Sequence, residues 1–154
     1  MPCIMTTVKN FAIVLACVVL AFWGTGCASI RPPPGSQPPV VKRMLVTGYC
    51  PCQECCSWHR NWLLRPVYSS GPLKGQRKEV GVTASGTKAR HGTIAADTTR
   101  YPFGTVMYIE GYGYGRVEDQ GGAIKGDHID LYFASHREAE KWGKRTRWVD
   151  VWSH

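Results

Sequence analysis

The feature that most limits the fold is a set of six strand-length apolar runs, each stopped within a few residues by Gly, Asp or Pro. They are Met44–Tyr49, Gly92–Ala96, Gly104–Glu110, Gly115–Glu118, His128–Phe133 and Arg147–Trp152. Such runs are too short for ordinary helices, and their β-branched and aromatic content suits strands. Short strands separated by turn signals predict a mainly β domain. Closure into a small barrel would remove the edges that a lone sheet leaves open. One short C-terminal helix is predicted. Ser135 can cap His136–Trp142, Glu138 completes a capping box, and Gly143 ends the helix.

The folded part does not begin at residue 1. Lys9 precedes the apolar run Phe11–Trp23, and small residues follow it up to Cys27. A charged start, an apolar centre and a small-residue zone read as an export signal over 1–26. Small residues before a cysteine resemble a bacterial lipoprotein signal, which implies Cys27 as the lipidated residue and a membrane anchor. A cleaved secretory signal and a retained anchor are the alternatives, and all of them export the domain. Segment 27–41 contains Arg31-Pro-Pro-Pro-Gly-Ser-Gln-Pro-Pro-Val40 and reads as an extended linker, because proline supplies no backbone donor. The domain is expected over 42–154, with an irregular insertion at about 57–81. Trp58, Trp62, Leu63 and Leu64 in that insertion are expected to pack over the barrel, with a sugar groove as the alternative. The chain carries a formal net charge of +8. On an exported domain this suits an anionic cell-envelope polymer and argues against a nucleic acid partner.

The carboxylates carry the chemical signal. Asp130 sits in the middle of the strand Ile129-Asp-Leu-Tyr-Phe133, Asp119 opens a glycine-rich turn, and Asp97 ends Thr93-Ile-Ala-Ala-Asp97. Aspartate is disfavoured in strands and costly to bury, so an acid kept there is paired or used. An acid raised above its ordinary pKa by burial or a neighbouring carboxylate can protonate a glycosidic oxygen.

The blocks Thr83-Ala-Ser-Gly-Thr-Lys-Ala-Arg90, Gly92-Thr-Ile-Ala-Ala-Asp97, Pro102-Phe-Gly-Thr105, Asp119-Gln-Gly-Gly-Ala-Ile-Lys-Gly126 and Ile129-Asp-Leu-Tyr132 together resemble the 3D (three-aspartate) domain. That family is related to the catalytic barrel of membrane-bound lytic transglycosylase A and to stationary-phase survival proteins. The resemblance implies a six-stranded double-psi β-barrel, peptidoglycan glycan strands as substrate, and non-hydrolytic cleavage that leaves a 1,6-anhydro sugar. It places the family's aspartates on Asp97, Asp119 and Asp130, with Asp130 as the acid. Thr83, Ser85, Gly121, Gly122 and Lys125 are the candidate substrate contacts: Gly121 and Gly122 let the backbone approach the sugar, Thr83 and Ser85 have turn closure as the plainer reading, and Lys125 has a solvated turn position as its alternative. Asp127 stands where the family more often has Asn, an added acid expected to perturb Asp130. Tyr112 and Tyr114 are candidates for sugar stacking or for a hairpin tip. No cofactor is expected. The alternatives are a barrel that binds glycan without cutting it, a hydrolase using Asp119 as base, and a metal-dependent envelope protein.

Cys50-Pro-Cys52-Gln-Glu-Cys55-Cys56 is the second unusual segment. Outside the cytoplasm disulfides are the default, and spacing does not choose the pairing. Cys52 and Cys55 also have the spacing of a zinc knuckle, which Cys50, Cys56, His59 or His91 would have to complete.

Overall fold

The computed structural model describes residues 29–153. The signal segment 1–26 and Cys27 lie outside the described residues. Six strands close into a barrel: β1 (Val40–Tyr49), β4 (Thr93–Ala96), β5 (Val106–Ile109), β6 (Gly113–Asp119), β7 (His128–Tyr132) and β8 (Arg145–Trp152). The order around the barrel is β1-β7-β4-β6-β5-β8. The β1–β7 and β4–β6 pairs are parallel, and the other pairings are antiparallel. The strands fall on the six apolar runs, and the barrel class is the one expected.

The barrel interior is packed, not hollow. Met44, Val46, Ile94, Met107, Ile109, Val117, Ile129, Leu131 and Val149 are all 0% exposed. Along β7 the pattern alternates: Ile129 and Leu131 point inward, so His128, Asp130 and Tyr132 face out of the barrel wall. The helix predicted at the C-terminus is present as α2 (His136–Trp142). Ser135 accepts from the Glu138 N–H, and Glu138 reaches back to the Ser135 N–H, forming the capping box.

The insertion and the turn leading into it hold two features that the sequence did not announce. A one-turn helix, α1 (Gln53–Cys56), follows β1, and β2 (Trp58–Arg60) pairs with β3 (Pro66–Tyr68) in a separate hairpin. Of the insertion's apolar residues Trp58 is half-buried, with its indole N–H donating to the Pro51 carbonyl at 3.1 Å, but the expected packing over the barrel is not found for Trp62, Leu63 and Leu64. Trp62 is 87% exposed and Leu64 is 71% exposed. The cause is local. The Asn61 side-chain oxygen accepts from the Leu63 and Arg65 N–H groups, which turns the tip back on itself and leaves Trp62 outside.

Candidate functional site

Three neighbouring strands bring two of the acids to one level. In the β4–β7 register Ala95 lies opposite Asp130, and in the β4–β6 register Ala95 lies opposite Asp119. The second pairing depends on a register shift between Ile94 and Ala95. Ile94 pairs with Val117 and Ala95 with Asp119, so Glu118 is the extra residue of a bulge. A bulge re-aims the side chain that follows it. Without it, Asp119 would face away from Asp130. Glu118 is buried instead, where its carboxylate accepts from the Thr93 hydroxyl at 2.9 Å. The result is a row, Asp119–Ala95–Asp130, with the smallest side chain in the middle as a floor.

A cleft of about 450 Å³ opens above this row. The barrel contributes Tyr49, Asp119, Gly121, Gly122, Asp130 and Tyr132, the short helix before the insertion contributes Cys55 and Cys56, and the insertion contributes Tyr68 and Lys78. Gly121 and Gly122 line the cleft wall. A larger hollow of about 700 Å³ beside α2 is lined by Phe133, Trp142 and Arg145, and neither Asp119 nor Asp130 reaches it.

Asp130 is largely buried, and burial pushes its carboxyl up from an ordinary 3.8 to about 6. The Thr47 hydroxyl, 2.9 Å away, opposes the rise, and the charge of Asp119 adds to it. Thr47 is the direct partner of Asp130 in the parallel β1–β7 register. Its hydroxyl also lies 2.9 Å from His128 Nε2, so the acid, the threonine and the imidazole form a chain of hydrogen bonds. Burial holds the His128 imidazole below its usual pKa, favouring the neutral ring.

Asp119 is held by three donors. The Tyr49 hydroxyl donates to Oδ2 at 3.1 Å, and the Ala84 and Gln120 N–H groups donate to Oδ1 at 3.0 and 2.9 Å. Tyr49 in turn packs edge-on against Tyr132, with ring centroids 5.6 Å apart. Burial, followed by the charge of Asp119, raises the Tyr49 phenol far above its usual range, so it remains a donor.

The third aspartate has a different position. Asp97 lies outside the residues lining the cleft. Its carboxylate accepts from the Gly126 N–H at 2.9 Å and from the Thr99 hydroxyl at 2.7 Å. The Gly126 N–H is the main reason its pKa falls below the ordinary value. Asp97 thus ties the exit of β4 to the far end of the loop that carries Gly121 and Gly122.

The remaining sequence candidates divide. Thr83 is buried, and its hydroxyl closes a turn with Ser85 and Thr87. Ser85 and Lys125 are exposed and do not line the cleft. The lysine that lines it is Lys78, whose Nζ sits 4.3 Å from the centre of the Tyr68 ring. Asp127, expected to perturb Asp130, is instead held by the Tyr101 hydroxyl and by Arg100 at 3.2 Å. Tyr112 is a buried strut: its hydroxyl accepts from the Gly92 N–H and donates to the Tyr132 carbonyl, both at 2.9 Å. Tyr114 leans on Tyr108 and Trp152, away from the cleft. His59 bonds Ser69 and His91 packs on Tyr112, so neither joins the cysteines. Thr47, Tyr49, Ala95 and Lys78 escaped the sequence reading. Only the alternation of Thr47 and Tyr49 along β1 could have marked the first two.

Residues 92–153 match the family model of the 3D domain. The chain is 41% identical over 75 residues to the cell wall-binding protein YocH of Bacillus subtilis, covering 46% of this chain and 26% of that protein. It is 39% identical over 70 residues to the putative cell wall shaping protein YabE of the same organism, covering 43% of this chain and 17% of that one. The chain therefore spans about a quarter or less of the length of these relatives. Among solved structures, Escherichia coli MltA with bound chitohexaose aligns with a TM-score of 0.42 at 21% identity, over 53% of this chain and 30% of that one.

Proposed function

We propose that this chain, whose residues 92–153 form a 3D domain, is an exported lytic transglycosylase that cuts peptidoglycan glycan strands and leaves a 1,6-anhydro end. The observation that carries the reading is the row Asp119–Ala95–Asp130 under the cleft, with the Asp130 carboxyl raised to about 6 by burial.

The chemistry follows from that row. Breaking the bond between two sugars requires a proton on the departing oxygen while positive charge grows at the ring carbon. Asp130 can hold that proton near neutral pH and donate it. Once deprotonated, it can take the proton of the muramic acid C6 hydroxyl as that oxygen closes onto C1. The acid then returns to its starting state, and no water is consumed. Asp119, held by Tyr49 and backbone N–H groups, is placed to stabilise the positive charge across the Ala95 floor. Gly121 and Gly122 allow the glycan to approach the backbone. Lys78 offers a cation to the lactyl or peptide carboxylate of the polymer. Asp97 positions the loop and does not touch the sugar. Export follows from the leader at 1–26, and a lipid anchor on Cys27 would hold the domain at a membrane of the cell envelope.

Similarity to the cell wall-binding protein YocH favours a second reading in which the same cleft holds glycan without cutting it. One experiment separates the two. Purified peptidoglycan is incubated with the wild type and with Asp130→Asn, and the products are weighed by mass spectrometry. Anhydro-muropeptides from the wild type, reduced by about 10²- to 10⁴-fold in the variant, are expected. Products one water heavier would mean hydrolysis. No product from either protein, with glycan still retained in a pull-down, would mean binding alone.

A further inference from the structure

Three of the four cysteines in the segment Cys50–Cys56 and one histidine converge on a single point at the junction of β1, α1 and α2. Cys50 directly follows β1, Cys52 caps α1, Cys55 lies in α1, and His136 opens α2. Their donor atoms all lie within 4.8 Å of one another. The Cys50 and Cys55 sulfurs are 3.8 Å apart, and His136 Nδ1 is 3.4 Å from Cys55 Sγ, 3.6 Å from Cys52 Sγ and 3.9 Å from Cys50 Sγ. A tetrahedral zinc ion has bonds of about 2.3 Å to sulfur and 2.0–2.1 Å to nitrogen. Those lengths require edges of about 3.8 Å between sulfurs and about 3.5 Å from sulfur to nitrogen. The Cys50–Cys55 edge and the three edges from His136 lie close to those lengths, and every other pair of donors lies within 4.8 Å.

The surroundings are also those of a metal site. His136 turns its other ring nitrogen, Nε2, toward Glu140 at 3.3 Å and Glu54 at 3.6 Å. A ligating imidazole commonly has a carboxylate behind it, which fixes the tautomer and presents the free nitrogen to the ion. The Cys55 N–H points at Cys52 Sγ at 3.4 Å, so the backbone of the Cys-x-x-Cys turn supports the sulfur. Cys56 is excluded: its thiol donates to the Cys50 carbonyl at 3.2 Å, and it lines the glycan cleft. A disulfide framework would gather sulfurs in twos, whereas here three surround one imidazole.

We propose that Cys50, Cys52, Cys55 and His136 form a structural zinc site that pins the insertion to the barrel. The cysteines lie outside the matched residues 92–153, whereas His136 lies within them. The ion would join the end of β1, one residue after Tyr49, to α2. It would thereby fix the wall of the cleft, which α1 and the insertion supply through Cys55, Cys56, Tyr68 and Lys78. The four donors close the coordination shell, so the site holds structure and leaves no position for substrate.

The test counts metal, not activity. The full chain is purified without chelator, and its zinc is measured by plasma mass spectrometry; one ion per chain is expected. Exchange for cobalt should give thiolate-to-cobalt charge transfer and the strong visible bands of a tetrahedral ion. His136→Ala should lose the zinc, His136→Cys should keep it, and Cys56→Ser should keep it. Glu140→Gln, which leaves all four ligands in place, should weaken zinc by about 10- to 100-fold. That variant keeps the test decisive even where His136→Ala fails to fold. Zinc-free protein whose intact mass is short by the hydrogens of one or two disulfides would overturn the proposal. So would full zinc in His136→Ala, or its loss in Cys56→Ser.

Discussion

Asp130 ties the fold to the proposed chemistry, and its burial makes the tie measurable. Its carboxyl is raised from an ordinary 3.8 to about 6, first by burial and then by Asp119. Between those values the native state holds a proton that the unfolded chain releases. Stability therefore falls as pH rises through this window, by at most about 3 kcal/mol once above it. Denaturant titrations of the wild type below and above the window should show the fall, and Asp130→Asn should flatten it. For the proposed acid, kcat/KM should drop as pH climbs past about 6, approaching tenfold per unit. Thr47 offers a second test. Its hydrogen bond opposes the rise of the Asp130 pKa. Thr47→Val should move the falling limb of the pH–rate profile to higher pH, by less than about one unit, since such a bond is worth roughly 1 kcal/mol. An unmoved limb would mean that Asp130 is not the group being titrated.

Among the elements, the bulge in β6 sets the site. Glu118 is the residue it adds, and burying that acid requires Thr93, whose hydroxyl both donates to Glu118 and accepts from the Arg90 N–H. Thr93→Val keeps the shape and removes both bonds. It should cost about 1–3 kcal/mol, read as a lowered Tm. The strands and α2 were legible in the sequence because alternation, turn residues and the Ser135–Glu138 box are local signals. The bulge was not, because it exists only between two strands. The insertion misled for a related reason. Trp62 and Leu64 look like core residues by composition, yet the Asn61 turn decides where they point. Lys125 and Lys78 repeat the lesson. The lysine in the recognisable motif is exposed, and the one lining the cleft comes from a segment without any motif.

At the scale of the molecule, two parts meet at the cleft: a closed barrel with an apolar interior and an insertion with little core of its own. Chelation of the proposed zinc should loosen residues 50–81 while the barrel stays folded. Hydrogen exchange followed by mass spectrometry should then show lost protection there, with β4, β6 and β7 unchanged. The sequence and its resemblance pointed to the aspartates and to the barrel that carries them. They could not give the partners, because Thr47 stands 83 residues from Asp130, Tyr49 stands 70 from Asp119, and His136 stands 81 from Cys55. Those distances also bear on timing. β1 is the first of the described strands but pairs only with β7 and β8, the last two described. Loops that long close slowly relative to local contacts. Until β7 docks on β1, Asp130 has no threonine beside it and Asp119 has no tyrosine. The proposed site is therefore assembled only when β1 finds β7, and any activity it carries waits on that one long-range pairing.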